Sequence, residues 1–152
     1  MEDNKASMNS DNPSHLKNEM VETPKTILVI EDNAGNFMLI NRMLFNVGIN
    51  IEWKTSGYEV VEFAESLPKI DLILMDIRLP YEDGYAAFRK LRASEKFQHT
   101  PIVAVTAVSG VEQMHAAQIA GFNGFIGKPL NPDRFPEQIS SLLSGQPVWE
   151  FE

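Results

Sequence analysis

Five short runs of apolar residues divide the chain, and the pattern between them changes period each time. Ile27-Leu28-Val29-Ile30, Leu72-Ile73-Leu74-Met75 and Pro101-Ile102-Val103-Ala104-Val105 are near-continuous apolar runs bounded by turn residues. Such runs predict strands buried on both faces. Ile49, Ile51 and Trp53 alternate with polar neighbours, which predicts a half-exposed strand over Ile49 to Thr55. Phe122 to Ile126 predicts a short fifth strand. Between the strands, apolar residues recur at spacings of three and four. They predict helices from Ala34 to Gly48, from Val60 to Leu67 before Pro68, and after Asp83 with Arg89, Lys90 and Arg92 facing outward. Two more are expected, a weaker one over Val111 to Ala120 and a last one over Leu130 to Leu143. Strands alternating with helices imply a parallel sheet covered on both faces, with right-handed crossovers.

The ends of the chain read differently. Met1 to about Thr23 is polar, with too few apolar residues to offset the entropy of ordering, so residues 1–24 are expected to be a disordered arm. Leu16 and Met20, four apart, are the one pair that could share a helical face. One domain is expected over residues 25–145, followed by a short tail, 146–152. Trp149 and Phe151 in that tail are most simply packed against the domain, with partner docking as the alternative.

Composition narrows the chemistry. The net charge of −8 disfavours direct contact with nucleic acid, and no basic cluster offsets it. There is no cysteine, which removes disulfides, thiolate metal sites and a cysteine nucleophile. No apolar run reaches the ~18 residues needed to span a bilayer, and the N-terminus lacks a secretory signal pattern, so a cytoplasmic protein is expected. His15 falls in the arm, and His99 and His115 fall away from the strand ends, so none suggests a metal site.

The polar residues that matter stand where the apolar runs stop. In a parallel sheet every strand C-terminus lies on one edge, where open α/β sheets place their ligands. This chain puts Glu31 and Asp32 after the first strand, Asp76 after the third, Thr106 after the fourth and Lys128 after the fifth. Three carboxylates without thiolate or imidazole suit a hard cation such as Mg²⁺. A lysine supplies a point charge for a phosphate, and an Asp beside a metal can act as a nucleophile. Singly, each residue has a plainer reading: Asp76 as a turn cap, Thr106 as a β-branched strand residue, Lys128 as an ion-pair partner for the carboxylates.

Ile27-Leu28-Val29-Ile30-Glu31-Asp32-Asn33, Leu74-Met75-Asp76-Ile77-Arg78-Leu79-Pro80 with Asp83-Gly84, Val103-Ala104-Val105-Thr106-Ala107 and Gly124-Phe125-Ile126-Gly127-Lys128-Pro129 together resemble the receiver domain of two-component response regulators. The resemblance covers about Lys25 to Ser144. It implies a flavodoxin-like (βα)₅ fold, α/β, with a five-stranded parallel sheet of order 2-1-3-4-5. It further implies Asp76 as phosphoacceptor, Asp32 as direct Mg²⁺ ligand, Glu31 acting through water, and Arg78 offering its backbone carbonyl to the metal. Lys128 would pair with the phosphoryl group and Thr106 would bond one of its oxygens. Phe125 would be the switch aromatic that follows the threonine, and Pro129 the proline after the lysine, often preceded by a cis bond. Gly127 is the less usual residue of the set.

The expected partners are a sensor histidine kinase or histidine phosphotransfer protein and a downstream protein target. Self-phosphorylation and slow self-dephosphorylation are expected, without enzymatic turnover. Only nine residues follow Leu143, so the reading is a stand-alone receiver. The alternatives are a phosphorelay intermediate, or a receiver excised from a hybrid kinase, passing phosphate on to a histidine phosphotransfer protein. An Asp-nucleophile phosphatase would carry a second Asp where Arg78 stands, and a flavodoxin-type cofactor binder would set an acidic edge against a cofactor phosphate.

Overall fold

A computed structural model describes residues 23–108 and 110–151, so the expectations for the arm lie almost wholly outside the described residues. The elements run β1 (Thr26–Ile30), α1 (Ala34–Leu44), β2 (Asn50–Lys54), α2 (Val60–Ser66), β3 (Leu72–Met75), α3 (Gly84–Ala93), β4 (Ile102–Thr106), α4 (Val111–Ala120), β5 (Gly124–Gly127), α5 (Phe135–Leu143) and β6 (Trp149–Glu150). Single 3₁₀ turns follow α1 and α3, at Phe45–Val47 and Glu95–Phe97. Every strand pairs in parallel, in the order β2-β1-β3-β4-β5-β6. The expected order 2-1-3-4-5 is therefore present with a sixth strand added beyond β5.

The sixth strand adds one to the five expected and lies in the tail, whose Trp149 and Phe151 pack against the domain as expected. Two paired residues are too few for any periodicity to register. Yet the tail alternates as a strand must: Val148 packs with one core cluster, Trp149 and Phe151 against the other. Two other boundaries differ. Phe122 precedes β5 and stacks on Phe88 at 4.4 Å instead of lying in the strand. The last helix starts at Phe135, not Leu130, because Asn131 turns the chain by accepting the Asp133 and Arg134 amides on its side chain.

The pleat sorts the strand residues between two cores. Leu28, Ile30, Ile73, Met75, Ala104 and Phe125 face α2, α3 and α4. Ile27, Val29, Leu72, Leu74, Val103 and Ile126 face α1 and α5. All of them are essentially inaccessible, and each large aliphatic contributes about 1.5–3 kcal/mol by leaving water. Helix entry is marked by side-chain caps: Asn33 accepts the Asn36 amide at 2.8 Å, and Asp83 the Ala86 amide at 2.9 Å. Gly84 opens α3 where the helix presses on the loop after β3. A Cβ there would lie 2.6 Å from the Asp76 carbonyl oxygen and 2.7 Å from the Ile77 Cα. The Lys128–Pro129 peptide is cis, as the resemblance implies is common. Among the described residues no helix is long and apolar enough to cross a membrane.

Candidate functional site

Strand register builds the site. Ile30 pairs with Met75, so the next residues, Glu31 and Asp76, leave adjacent strands side by side. The Asp76 amide still donates to the Ile30 carbonyl at 3.0 Å, and the Glu31 amide to Lys54 at 3.0 Å. On the other side Thr106 pairs with Gly127, and the Lys128 amide donates to the Thr106 carbonyl at 2.9 Å. The backbone ladder thus carries each chemical group one step past the sheet edge while its own peptide remains tied to the core.

Glu31 and Asp76 are 2% and 7% exposed, whereas Asp32 faces solvent at the mouth. A carboxylate oxygen from each of the three lies within 4.8 Å of the others. Two buried carboxylates this close repel strongly unless a cation intervenes. Lys128 supplies it, donating from Nζ to Glu31 Oε1 at 2.7 Å and to Asp76 Oδ2 at 3.0 Å. Burial is the largest single influence on the ammonium and works against its charge. The Glu31 and Asp76 hydrogen bonds and charges together outweigh burial and hold the Lys128 pKa above the ordinary lysine value.

The other carboxylate oxygens are engaged as well. Asp76 Oδ1 accepts the Arg78 amide at 3.0 Å. Glu31 Oε2 accepts the Asn33 amide and the Asn36 side chain, each at 3.2 Å. Glu31 thus accepts three protein donors, while Asp32 is open to solvent. The donor set is all hard oxygen and keeps an excess of negative charge after Lys128 is counted, so a hard divalent cation fits it. Thr106 is fully buried and its Oγ1 accepts the Val108 amide at 3.2 Å, within the β4–α4 loop. Phe125 is likewise fully buried, three residues before Lys128 on β5. The Arg78 side chain is exposed. The structure thus gathers Glu31, Asp32, Asp76 and Lys128 at one point, with Thr106 and Phe125 on the adjoining strands.

Several supporting residues escaped the sequence reading. Trp53 donates from Nε1 to the Glu31 carbonyl at 2.7 Å, and its ring stacks on Phe37 at 4.2 Å. That pair fixes the peptide from which Glu31 projects. The alternation of Ile49, Ile51 and Trp53 was the available signal, but only the β1–β2 register shows that Trp53 reaches the β1 tip. Arg92, expected to point outward, instead donates to the Phe97 and Thr100 carbonyls, both at 2.7 Å, and sits over the Phe88 ring. It ties α3 to the β4 entry, away from the site.

Known proteins share this arrangement of elements. Residues 27–140 match the family model described as the response regulator receiver domain. The chain is 35% identical over 123 residues to the signal transduction histidine-protein kinase BarA of Escherichia coli, covering 81% of this chain but only 13% of that protein. It is 32% identical over 120 residues to the polar-differentiation response regulator DivK of Brucella anthropi, covering 79% of this chain and 97% of that one. Among solved structures, the receiver domain of the sensor histidine kinase PA1611 from Pseudomonas aeruginosa superimposes with a TM-score of 0.72 at 32% identity, over 81% of this chain and all of that one. The match to the family model runs from β1 into α5 and so takes in the three strand tips that assemble the acidic cluster and its lysine. The chain belongs to the response regulator receiver domain family.

Proposed function

We propose that Asp76 accepts a phosphoryl group from a phosphohistidine, and that this event switches a protein-interaction surface. The observation that carries the reading is the placement of Asp76: nearly buried at a strand tip, within 4.8 Å of Glu31 and Asp32 oxygens and bonded to Lys128. An Asp76 oxygen forms the new bond to phosphorus as the phosphorus–nitrogen bond breaks in line, and the departing imidazole keeps the electron pair. Lys128 moves its interaction from carboxylate to phosphoryl oxygen and neutralises charge there. Asp32, open to solvent, takes the role of direct metal ligand. Glu31, whose oxygens already accept protein donors, acts through water, and Arg78 contributes its backbone carbonyl. Mg²⁺, when bound, neutralises charge on the transferring oxygens. The magnesium-containing receiver of the PA1611 kinase supports that cofactor for this chain. Thr106 then leaves its loop contact to bond a phosphoryl oxygen, and Phe125 follows.

The test is labelling by a small phosphodonor with Mg²⁺. Asp76→Asn abolishes the label, and undiminished labelling of that variant overturns the assignment.

The partner on the donor side is a histidine kinase or a histidine phosphotransfer protein, because kinases of this class carry homologous receivers. DivK, matched almost end to end, supports a switch acting on a protein target. BarA and PA1611, matched only in their receiver portions or domains, support onward passage of the group to a histidine phosphotransfer protein. A mixed-component transfer assay separates these: onward transfer from Asp76 favours the relay, and phosphorylation-dependent target affinity without transfer favours the switch. Action without direct nucleic-acid contact fits the net charge of −8, and action without turnover on small substrates fits the Arg78 side chain where a phosphatase would carry a second Asp; the cytoplasm is the compartment proposed for it.

A further inference from the structure

The added strand β6 seats on the part of the sheet that carries Phe125. The Phe125 amide donates to the Val148 carbonyl at 2.8 Å, and Phe125 and Trp149 are register partners across β5 and β6. Register partners on adjacent strands project from the same face, about 5 Å apart. Trp149 packs against the core cluster that contains Phe125, so it closes the sheet-edge side on which the Phe125 ring would otherwise swing outward. The other face of the tail is latched to α5. Val148 is 6% exposed within the second cluster, and the Glu150 carboxylate accepts bonds from Arg134 and from the buried Gln138. The seat is made to measure: a Cβ on Gly124 would lie 2.7 Å from the Val148 carbonyl oxygen.

We propose that residues 147–151 form a strap whose seating is coupled to the loading of Asp76: seated, it holds Phe125 inward and favours the phosphoryl-loaded site. This rests on the phosphoacceptor reading above. The path between the two is short and continuous. Lys128 touches Asp76, follows β5 directly, and is three residues from Phe125. A two-residue strand is cheap to detach compared with the buried strands beside it, so modest free energies can shift its seating. Coupling between sites is reciprocal: if the seated strap favours the loaded site, a loaded site must tighten the strap.

The experiment uses the full chain, Mg²⁺ and beryllium fluoride as a tetrahedral phosphoryl mimic on Asp76. Trp149→Ala removes the ring over the Phe125 flank. Glu150→Ala undoes the latch while leaving every apolar residue in place. Both variants are expected to raise the half-saturating beryllium fluoride concentration about fivefold or more. In the unaltered chain the mimic is expected to slow amide exchange at Trp149 and Glu150. Half-saturation within about twofold of the unaltered chain for both variants, or tail exchange indifferent to the mimic, overturns the coupling alone. If the unaltered chain fails to bind the mimic, the acceptor reading falls and takes the coupling with it. Asp76→Asn marks that baseline.

Discussion

Lys128 neutralises two buried carboxylates at once, and its removal shows what the site costs at rest. Lys128→Met leaves Glu31 and Asp76 as uncompensated buried charges, which is expected to lower stability by about 3 kcal/mol in metal-free buffer. Added Mg²⁺ recovers much of that loss, while the rate of labelling falls about 100-fold for want of the ammonium; urea midpoints with and without the metal, beside labelling rates, check both. Gly84→Ala acts on the same site through backbone. Its Cβ would collide with the Asp76 carbonyl and the Ile77 Cα, so a loss of about 1–3 kcal/mol is expected, with slower labelling because the loop bearing Asp76 is displaced. Stability like that of the unaltered chain would contradict it. At this scale the sequence was most legible where a polar residue ends an apolar run, as at Asp76 and Lys128. It was least legible where a contact depends on register. Trp53 and Asn36 reach Glu31 from a second strand and a helix, and nothing in their local pattern announces it.

Elements were legible in proportion to their length and burial. β1, β3 and β4 are buried throughout and appear where the apolar runs predict them. α4 spans Val111–Ala120 as expected despite its weak pattern, because Gly121 closes it. β6 was invisible because its stability comes from what it leans on: the β5 backbone, α5 and the core flank. Its Glu150 offers a test. The Arg134 hydrogen bond is the largest influence on that carboxyl and, against some burial, keeps its pKa below the ordinary 4.5. A depressed folded-state pKa means the contribution is present above 4.5 and fades as the pH falls through the lower folded value. β6 is therefore expected to loosen below pH 4.5 ahead of the four buried strands. Site-resolved amide exchange across that range reads it directly, and equal protection of β6 and β5 throughout would contradict it.

The whole molecule followed from the alternation of strands and helices, since a parallel sheet brings every strand tip to one edge. What alternation could not supply was how the sheet ends. An open sheet offers two rows of unpaired backbone groups, and such rows invite another chain to pair. On the β2 side this protein carries Glu52 and Lys54, charges that discourage a neighbour. On the β5 side the strand is Gly124-Phe125-Ile126-Gly127, uncharged and fully buried. Without β6 it would present bare apolar backbone to solvent. A chain shortened after Gln146 is accordingly expected to self-associate more strongly than the full chain at the same concentration, measurable by sedimentation, and equal behaviour of the two would contradict it. On this expectation, the two paired residues of β6 shield the β5 backbone from a foreign strand, a task that surface charge performs on the β2 side.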